Sequence, residues 1–288
     1  MQTQIESHTI YTYTDSELDL ANKEQYAFDI CISANRLSYT IFKANRVLGY
    51  RYINTKNNIL ESNISDLVVL ANQLEWNSNL YKSVRVFINH EVFTLVPEAL
   101  FEANQADKYL QLVHKQMPNN KVLFSTINKQ QAVCVFSINS DFYTAINIVF
   151  GRPTILHLSL VLIQTADMFN ENDLKQHLIV NFENNFVTTL QYQNNEIKYL
   201  NTFNVDADTD TVYFILSIAE QLQLQAEKFG VYVMGDISTT SATLGLLKKY
   251  IPSVQILSRL QSIDYPISFR EFQEQQHYLT THTLLCEL

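Results

Sequence analysis

The segment Phe28–Tyr50, with the sequence FDICISANRLSYTIFKANRVLGY, decides the fold of this chain. Residues 27–42 alternate well enough to predict one long strand, or two strands joined near residue 34. A turn over residues 43–46 then sends the chain back antiparallel, and Asp29 lies inside the first strand. The segment therefore predicts the antiparallel hairpins that open a sheet.

A weaker copy of this pattern runs over Val180–Val205, VNFENNFVTTLQYQNNEIKYLNTFNV. Aligning Asp29 with Asn181 gives an offset of 181 minus 29, or 152 residues, and the hairpin turns then fall within a few positions of each other. The turn of the second copy falls at Asn194 and Asn195, and helices and strands alternate after each copy, which predicts mixed sheets covered by helices. The tail, residues 266–281, is predicted to be helical. We expect an α/β chain with one lobe over residues 1–170, a second over 171–288, and a cleft between them of the kind that holds a phosphorylated ligand.

The charge of the chain narrows the class of partner. Net charge is −9 over 288 residues, and residues 161–288 hold 7 Lys and Arg against 15 Asp and Glu. Nucleic acids and anionic membranes bind clustered cations, so we expect neither as a partner. No apolar run approaches the ~18 residues that span a bilayer, and the N-terminus lacks a basic region followed by an apolar core. We therefore expect a cytoplasmic protein without membrane insertion.

Cysteine and glycine usage limits the chemistry. The three cysteines are odd in number and widely spaced, which predicts reduced, buried thiols and no metal site. Only 5 glycines are present, whereas an ordinary usage of ~7% would give about 20. Loops that wrap phosphates use glycine so that backbone N–H groups approach the ligand. No pair of glycines in this chain has such an arrangement.

The double hairpin resembles the actin-like ATPase superfamily, a duplicated, ribonuclease H-like fold that includes sugar kinases, heat-shock ATPases and pilus-assembly actin-like proteins. Those chains open each half with a strand ending in Asp, any residue, Gly, whose hairpin touches nucleotide phosphate and metal. A Gly-Gly turn late in their second half passes the adenosine. Over residues 26–260, including 96–101, this chain most closely resembles a bacterial family of unknown function with that fold.

The resemblance assigns the nucleotide motifs to six positions, and most of them depart from the pattern. The first motif keeps its acid but has Cys31 in place of Gly, and the second has Asn181 in place of Asp. Glu183 then puts a carboxylate where an anion should bind, and the late turn keeps one glycine of two. The candidate cofactor-binding positions are Asp29, Cys31, Asn181, Glu183, Gly235 and Asp236.

Phosphoryl transfer depends on positioned donors that stabilise negative charge, so these departures work against it. We favour a degenerate actin-like protein that serves as an interaction or scaffold module, with no cofactor and no catalytic residue. One alternative is a divergent ATPase or kinase that uses Mg-ATP through Asp29 and the Gly235 turn. Another is a ribonuclease H-like nuclease, in which Asp29 joins other acids at two metals. The structural explanation of Asp29 is that it ends a strand or caps a turn.

A second acidic pattern resembles half of a calcium loop. Asp206, Asp208 and Asp210 alternate as calcium ligands do, but Thr211 and Ser217 stand where such a loop needs Gly and Glu. Acids at the start of a long helix also complement its dipole. We therefore predict that this cluster caps the helix that follows.

The remaining candidates favour structure and protein recognition. His277 and His282 are five residues apart, which does not place two metal ligands on one helix face. Cys31 is interpreted as a buried structural thiol. The chain has 16 Tyr and 17 Phe, and exposed tyrosines favour a protein partner. The candidate exposed tyrosines are Tyr50, Tyr52, Tyr81, Tyr109, Tyr199 and Tyr250.

Overall fold

The computed structural model describes residues 7–74, 81–115, 118–169, 176–183, 185–194, 196–225, 227–271 and 273–286. The chain divides into two compact units. One unit comprises Met1–Leu160 with Ser262–Ser268, and the other comprises Val161–Gln261 with Phe269–Glu287. The lobe boundary that the sequence predicted near residues 170–173 lies outside the described residues, and so does Asn195 of the predicted second turn.

The first unit is built on a six-stranded sheet. Its strands are β1 (Ser7–Thr14), β2 (Ala27–Ser33), β3 (Arg36–Lys43), β4 (Arg46–Thr55), β5 (Ser83–Ile88) and β9 (Thr154–His157). Their order across the sheet is β1-β4-β3-β2-β5-β9. β2, β3 and β4 pair antiparallel, while β5 and β9 continue parallel to β2. Of the two alternatives that the sequence left open for residues 27–42, the structure has the two strands, joined at Ala34 and Asn35.

A small antiparallel sheet lies in sequence between β5 and β9. Its strands are β6 (Phe93–Pro97), β7 (Asn120–Ile127) and β8 (Ala132–Asn139), in the order β6-β8-β7. The short helix α2 (Ala106–Gln111) packs on it, and Val96, Leu110 and Val133 share one apolar core. This sheet therefore has its own core within the first unit.

Two helices of the first unit begin at asparagine caps. In α1 (Ile64–Gln73), Oδ1 of Asn63 accepts the N–H of Asp66 at 3.0 Å, and in α3 (Ser140–Val149) Oδ1 of Asn139 accepts the N–H of Asp141 at 2.8 Å. These bonds satisfy donors that a helix leaves open in its first turn. The two helices pack against each other.

The second unit repeats the plan of the six-stranded sheet. Its strands are β10 (His177–Phe182), β11 (Phe186–Gln193), β12 (Glu196–Asn204), β13 (Gly230–Gly235) and β14 (Ser253–Ile256). The order β12-β11-β10-β13-β14 matches β4-β3-β2-β5-β9, with the same antiparallel and parallel pairings. The duplication that the sequence predicted is confirmed.

The other helices are α4 (Ser159–Ala166), α5 (Asp208–Gln221), α6 (Ala242–Tyr250) and α7 (Tyr278–Thr281). α5 and α6 pack together, and their apolar faces join β10 and β13 in one core. Of the helices in the described ranges, none is both long enough and apolar enough to cross a bilayer.

The C-terminal tail differs from its prediction. The sequence predicted a helix over residues 266–281, but the structure has a 3₁₀ helix at Ile267–Glu271, α7, and a second 3₁₀ helix at Thr283–Leu285. Between these short helices, Gln275 bonds to the loop after β13. Hydrogen bonds to this distant loop thus replace the backbone hydrogen bonds of a continuous helix.

Tyrosine exposure also differs in part from the prediction. Tyr50, a predicted exposed residue, has no exposed surface and belongs to the core. Tyr250 is half exposed, and Tyr213 on α5, which the sequence did not single out, is 67% exposed. Tyr50 cannot contact a partner, because its side chain on β4 points into the core.

Burial disfavours the charged form of three histidines, His90, His157 and His282. His282 stacks on Tyr278 with ring centroids 3.9 Å apart, its Nδ1 bonds to the Tyr278 carbonyl, and its Nε2 accepts the N–H of Leu260 at 3.4 Å. Desolvation by burial lowers the pKa of His282 to about 4. Burial also lowers the pKa of His90, and it lowers the pKa of His157 well below the usual value.

These histidines predict a loss of stability in acid. The folded-state pKa of His282 lies below its ordinary 6.5, so between the two values the unfolded chain binds more protons than the folded chain. The stabilisation is therefore complete above about pH 6.5 and is lost as pH falls toward 4. From His282 alone we expect the free energy of unfolding to fall by about 2 kcal/mol between about pH 7.5 and pH 5.

Denaturant titrations of the wild type and of His282→Gln at both pH values test this expectation. The variant should be less stable at the higher pH but should lose less stability on acidification. An equal pH dependence in both proteins would contradict it.

Candidate functional site

The acid of the first motif is buried in an ion pair. Asp29 lies on β2 directly beside Arg85 on β5, in parallel register. Arg85 donates Nε to Oδ1 of Asp29 at 2.8 Å and Nη2 to Oδ2 at 2.5 Å. The Asp29 side chain has no exposed surface, and that of Arg85 is 13% exposed. Such a two-bond pairing satisfies both oxygens of the carboxylate with a fixed cation.

Asp29 also lies away from the hairpin turn. Its strand continues for four residues, to Ser33, before the chain turns at Ala34 and Asn35. The resembling family has this acid at the end of the strand, and our structural explanation placed it at a strand end or turn. The predicted position of Asp29 at a strand end or turn is therefore wrong, because the residue lies in the middle of β2 and its side chain faces Arg85.

Cys31 lies on the same face of β2 as Asp29, two residues along the strand. It is 6% exposed. All three cysteines of the chain are described and buried, and none is in a disulfide. The prediction that Cys31 is a buried thiol is confirmed, and its structural role stays a prediction.

The second motif meets the late glycine at adjacent strand ends. β10 and β13 are parallel neighbours, with Asn181 opposite Met234 and Phe182 opposite Gly235. Gly235 has φ of +90°, and a Cβ at this position would lie 2.2 Å from the Phe182 carbonyl oxygen and 2.7 Å from Oδ1 of Asn181. Only glycine fits both the backbone angle and the space.

The loop after Gly235 uses its backbone donors within this chain. The N–H of Gly235 donates to the Gln275 carbonyl and the N–H of Asp236 donates to the Phe182 carbonyl, both at 2.8 Å. Nε2 of Gln275 donates to the Ile237 carbonyl at 2.9 Å, and Gln275 is 2% exposed. The N–H groups of Gly235 and Asp236 are therefore both bonded within the chain.

Glu183 and Asp236 complete the six sequence-derived positions. The N–H of Glu183 donates to the Phe186 carbonyl at 2.9 Å and so closes the β10–β11 turn, while Asp236 is exposed. Asn181, Glu183, Gly235 and Asp236 belong to neighbouring strand ends of the second unit. Asp29 and Cys31 belong to the first unit.

The acidic cluster at the start of α5 caps the helix, as predicted. The Asp210 carboxylate accepts the N–H groups of Asp206 and Ala207 at 3.1 and 2.9 Å. Asp208 accepts the hydroxyl of Thr243 on α6. In the part of the chain that the structure describes, no three His, Cys, Asp or Glu side chains come together as metal ligands.

Sequence reasoning missed Arg85 and Gln275. Arg85 could have been found, because it is the only charged residue in the apolar strand Val84–Ile88 and a buried cation needs an acid partner. Asp29 is the acid in a strand of the same sheet. Gln275 carries no such signal, since its role depends on where the tail folds.

Comparison with known proteins identifies the family. The family model described as "Protein of unknown function (DUF3822)" matches residues 15–254. The chain belongs to this family. No curated protein matches the DUF3822 chain.

Two solved structures show its fold. A Bacteroides thetaiotaomicron protein of actin-like ATPase fold and unknown function is 20% identical, covers 94% of this chain and 100% of its own, and has a TM-score of 0.77. A chain of the PilM–PilN type IV pilus biogenesis complex is 10% identical, covers 90% of this chain and 96% of its own, and has a TM-score of 0.56. The predicted actin-like fold is confirmed.

The Asp29–Arg85 pair predicts a stability effect that a solvated metal ligand would not give. Asp29→Ala leaves Arg85 buried without its counter-charge, which should cost about 3–5 kcal/mol of unfolding free energy. Replacing both residues, as Asp29→Leu with Arg85→Met, should restore most of that loss, because apolar substitution of a whole buried pair is often close to neutral. Urea titrations measure both, and a loss below about 1 kcal/mol in Asp29→Ala would contradict the assignment.

Gly235 has a matched control in the same unit. Gly235→Ala should lose at least about 2 kcal/mol, because it adds both a left-handed strain and a backbone overlap. Gly245 lies in α6 with open space where a Cβ would stand, so Gly245→Ala should gain about 0.5–1 kcal/mol from helix propensity. Denaturant midpoints compare them, and equal effects at the two positions would refute the turn geometry.

Proposed function

We propose that this DUF3822 protein acts by binding another protein and does not hydrolyse ATP efficiently. The observation that carries the proposal is the buried Asp29–Arg85 pair, in which the one acid kept from the nucleotide motifs has no exposed surface. Metal-assisted phosphoryl transfer needs a carboxylate that reaches the metal or its waters. Asp29 is committed to a structural pairing.

The second unit supports the same conclusion. The backbone N–H groups of Gly235 and Asp236 are bonded to the carbonyls of Gln275 and Phe182, and so the late turn offers neither donor to a nucleotide. Glu183 adds a carboxylate at the neighbouring turn. Each of these features disfavours an anion at the strand ends.

Binding to a protein is supported by the surface and by the fold. Tyr213 and Tyr250 are exposed on α5 and α6, and tyrosine is enriched where proteins meet because it combines apolar area with a polar tip. The PilM–PilN complex shows a related fold inside a protein assembly. The three buried thiols suit a reducing compartment, which supports a cytoplasmic location.

Isothermal titration calorimetry with Mg-ATP tests the proposal. We expect only heats of dilution up to about 2 mM nucleotide, a concentration at which a site of millimolar affinity would be largely filled. Phosphate release should equal that of a protein-free blank. Asp236→Asn, which changes an exposed side chain in the turn after Gly235, is the folded control variant.

Micromolar Mg-ATP binding that Asp29→Ala abolishes, in a protein whose fold is verified by circular dichroism, would overturn the proposal. That result would favour the divergent ATPase or kinase that the fold family suggests.

A further inference from the structure

A cavity of about 170 Å³ opens in the first unit beside β1, β3 and β4. Gly49, in the interior of β4, and Ile41 of β3 form part of its lining. A Cβ at Gly49 would lie 3.0 Å from Cδ1 of Ile41. Glycine inside a strand often marks a close approach by another group, and here its missing side chain leaves space in the cavity.

The cavity has aromatic walls. Phe28 is buried, and its ring centroid lies 5.3 Å from that of Tyr39 and 4.6 Å from that of Tyr81, with the Tyr81 ring stacked on it. Both tyrosines are half-buried and line the cavity. Desolvation by burial, with a smaller effect of Tyr39, raises the pKa of Tyr81 to about 12. Its hydroxyl is therefore a neutral hydrogen-bond donor at physiological pH.

The charged residues that line the cavity are opposite in sign to the net charge of the chain. Lys23 and Arg51 are the charged residues among those that line it, and both are cations in a protein of net charge −9. Lys23 Nζ lies 5.3 Å from the centroid of the Tyr81 ring, and Nε of Arg51 donates to Oγ1 of Thr12 at 3.1 Å. That bond uses one of five guanidinium N–H groups and holds the cation at the cavity.

We propose that this cavity binds a small aromatic carboxylate, with its ring against Tyr39 and Tyr81 and its carboxylate toward Lys23 and Arg51. The volume supports a single ring, since an engineered cavity of about 150 Å³ holds benzene. An arginine and a lysine beside aromatic faces select a planar anion over a neutral ring. This site is independent of the nucleotide motifs and of the protein-binding proposal.

Calorimetry or NMR titration of the full chain with benzoate and 4-hydroxyphenylacetate tests the site. We expect dissociation constants of about 1 mM or tighter, in keeping with ligands of roughly ten heavy atoms. Benzamide, which keeps the ring without the charge, and cyclohexanecarboxylate, which keeps the charge without the aromatic ring, should each bind at least about fivefold more weakly.

Variants locate the ligand. Arg51→Met and Lys23→Met should each weaken benzoate binding at least about fivefold by removing one cation, and Gly49→Ala should weaken it by filling the cavity. Lys108→Met, which removes an exposed cation on α2, is the matched control and should leave the affinity unchanged.

The proposal is overturned if neither acid binds at about 10 mM, if benzamide binds as tightly as benzoate, or if the Lys23 and Lys108 variants behave alike. Thermal melts confirm the fold of each variant. Lys23→Met changes a half-buried surface residue and keeps the test valid if the Arg51 or Gly49 variant does not fold.

Discussion

The buried carboxylate of Asp29 on β2 needs a cation beside it. Arg85, opposite it on the parallel strand β5, supplies that cation through two hydrogen bonds. Leaving either charge alone in such a place would cost several kcal/mol, whereas a one-residue slip of β5 against β2 would send Arg85 to the opposite face. The pair therefore fixes the register of the parallel part of the sheet. The same pairing removes Asp29, the acid of the first sequence-derived motif, from solvent.

In the second unit, hydrogen bonds between neutral groups hold the turn at Gly235, where the first unit has an ion pair. Gly235 has a backbone angle and a contact with Phe182 that exclude any side chain. Gln275 then bonds the loop through both its main chain and its amide. The turn at Gly235 is thus held by the C-terminal tail of the same chain. In both units, polar groups at the sequence-derived positions form hydrogen bonds within the actin-like fold.

Much of the framework could be predicted because local pattern decides it. Alternation over Phe28–Tyr50 and its weaker copy specifies the hairpins, and composition alone predicts Asp206–Asp210 as a helix cap. Details that depend on distant segments could not be predicted. The tail was expected to be one helix, yet Gln275 is fixed by a loop 40 residues earlier (275 minus 235). Tyr50 is a candidate exposed tyrosine from the sequence but lies in the core. Arg85 lies between these cases, since its charge in an apolar strand was visible in the sequence, while its contact with Asp29 depends on the register of β5 against β2.

Amide hydrogen exchange at Gly235 and Asp236 tests most directly whether the nucleotide positions have become structural. If the protein's own carbonyls hold these N–H groups, both amides should be strongly protected in the protein alone, and saturating Mg-ATP should leave their exchange rates unchanged. Rapid exchange of both amides in the protein alone, slowed by Mg-ATP, would show an open site that awaits a ligand and would contradict the account.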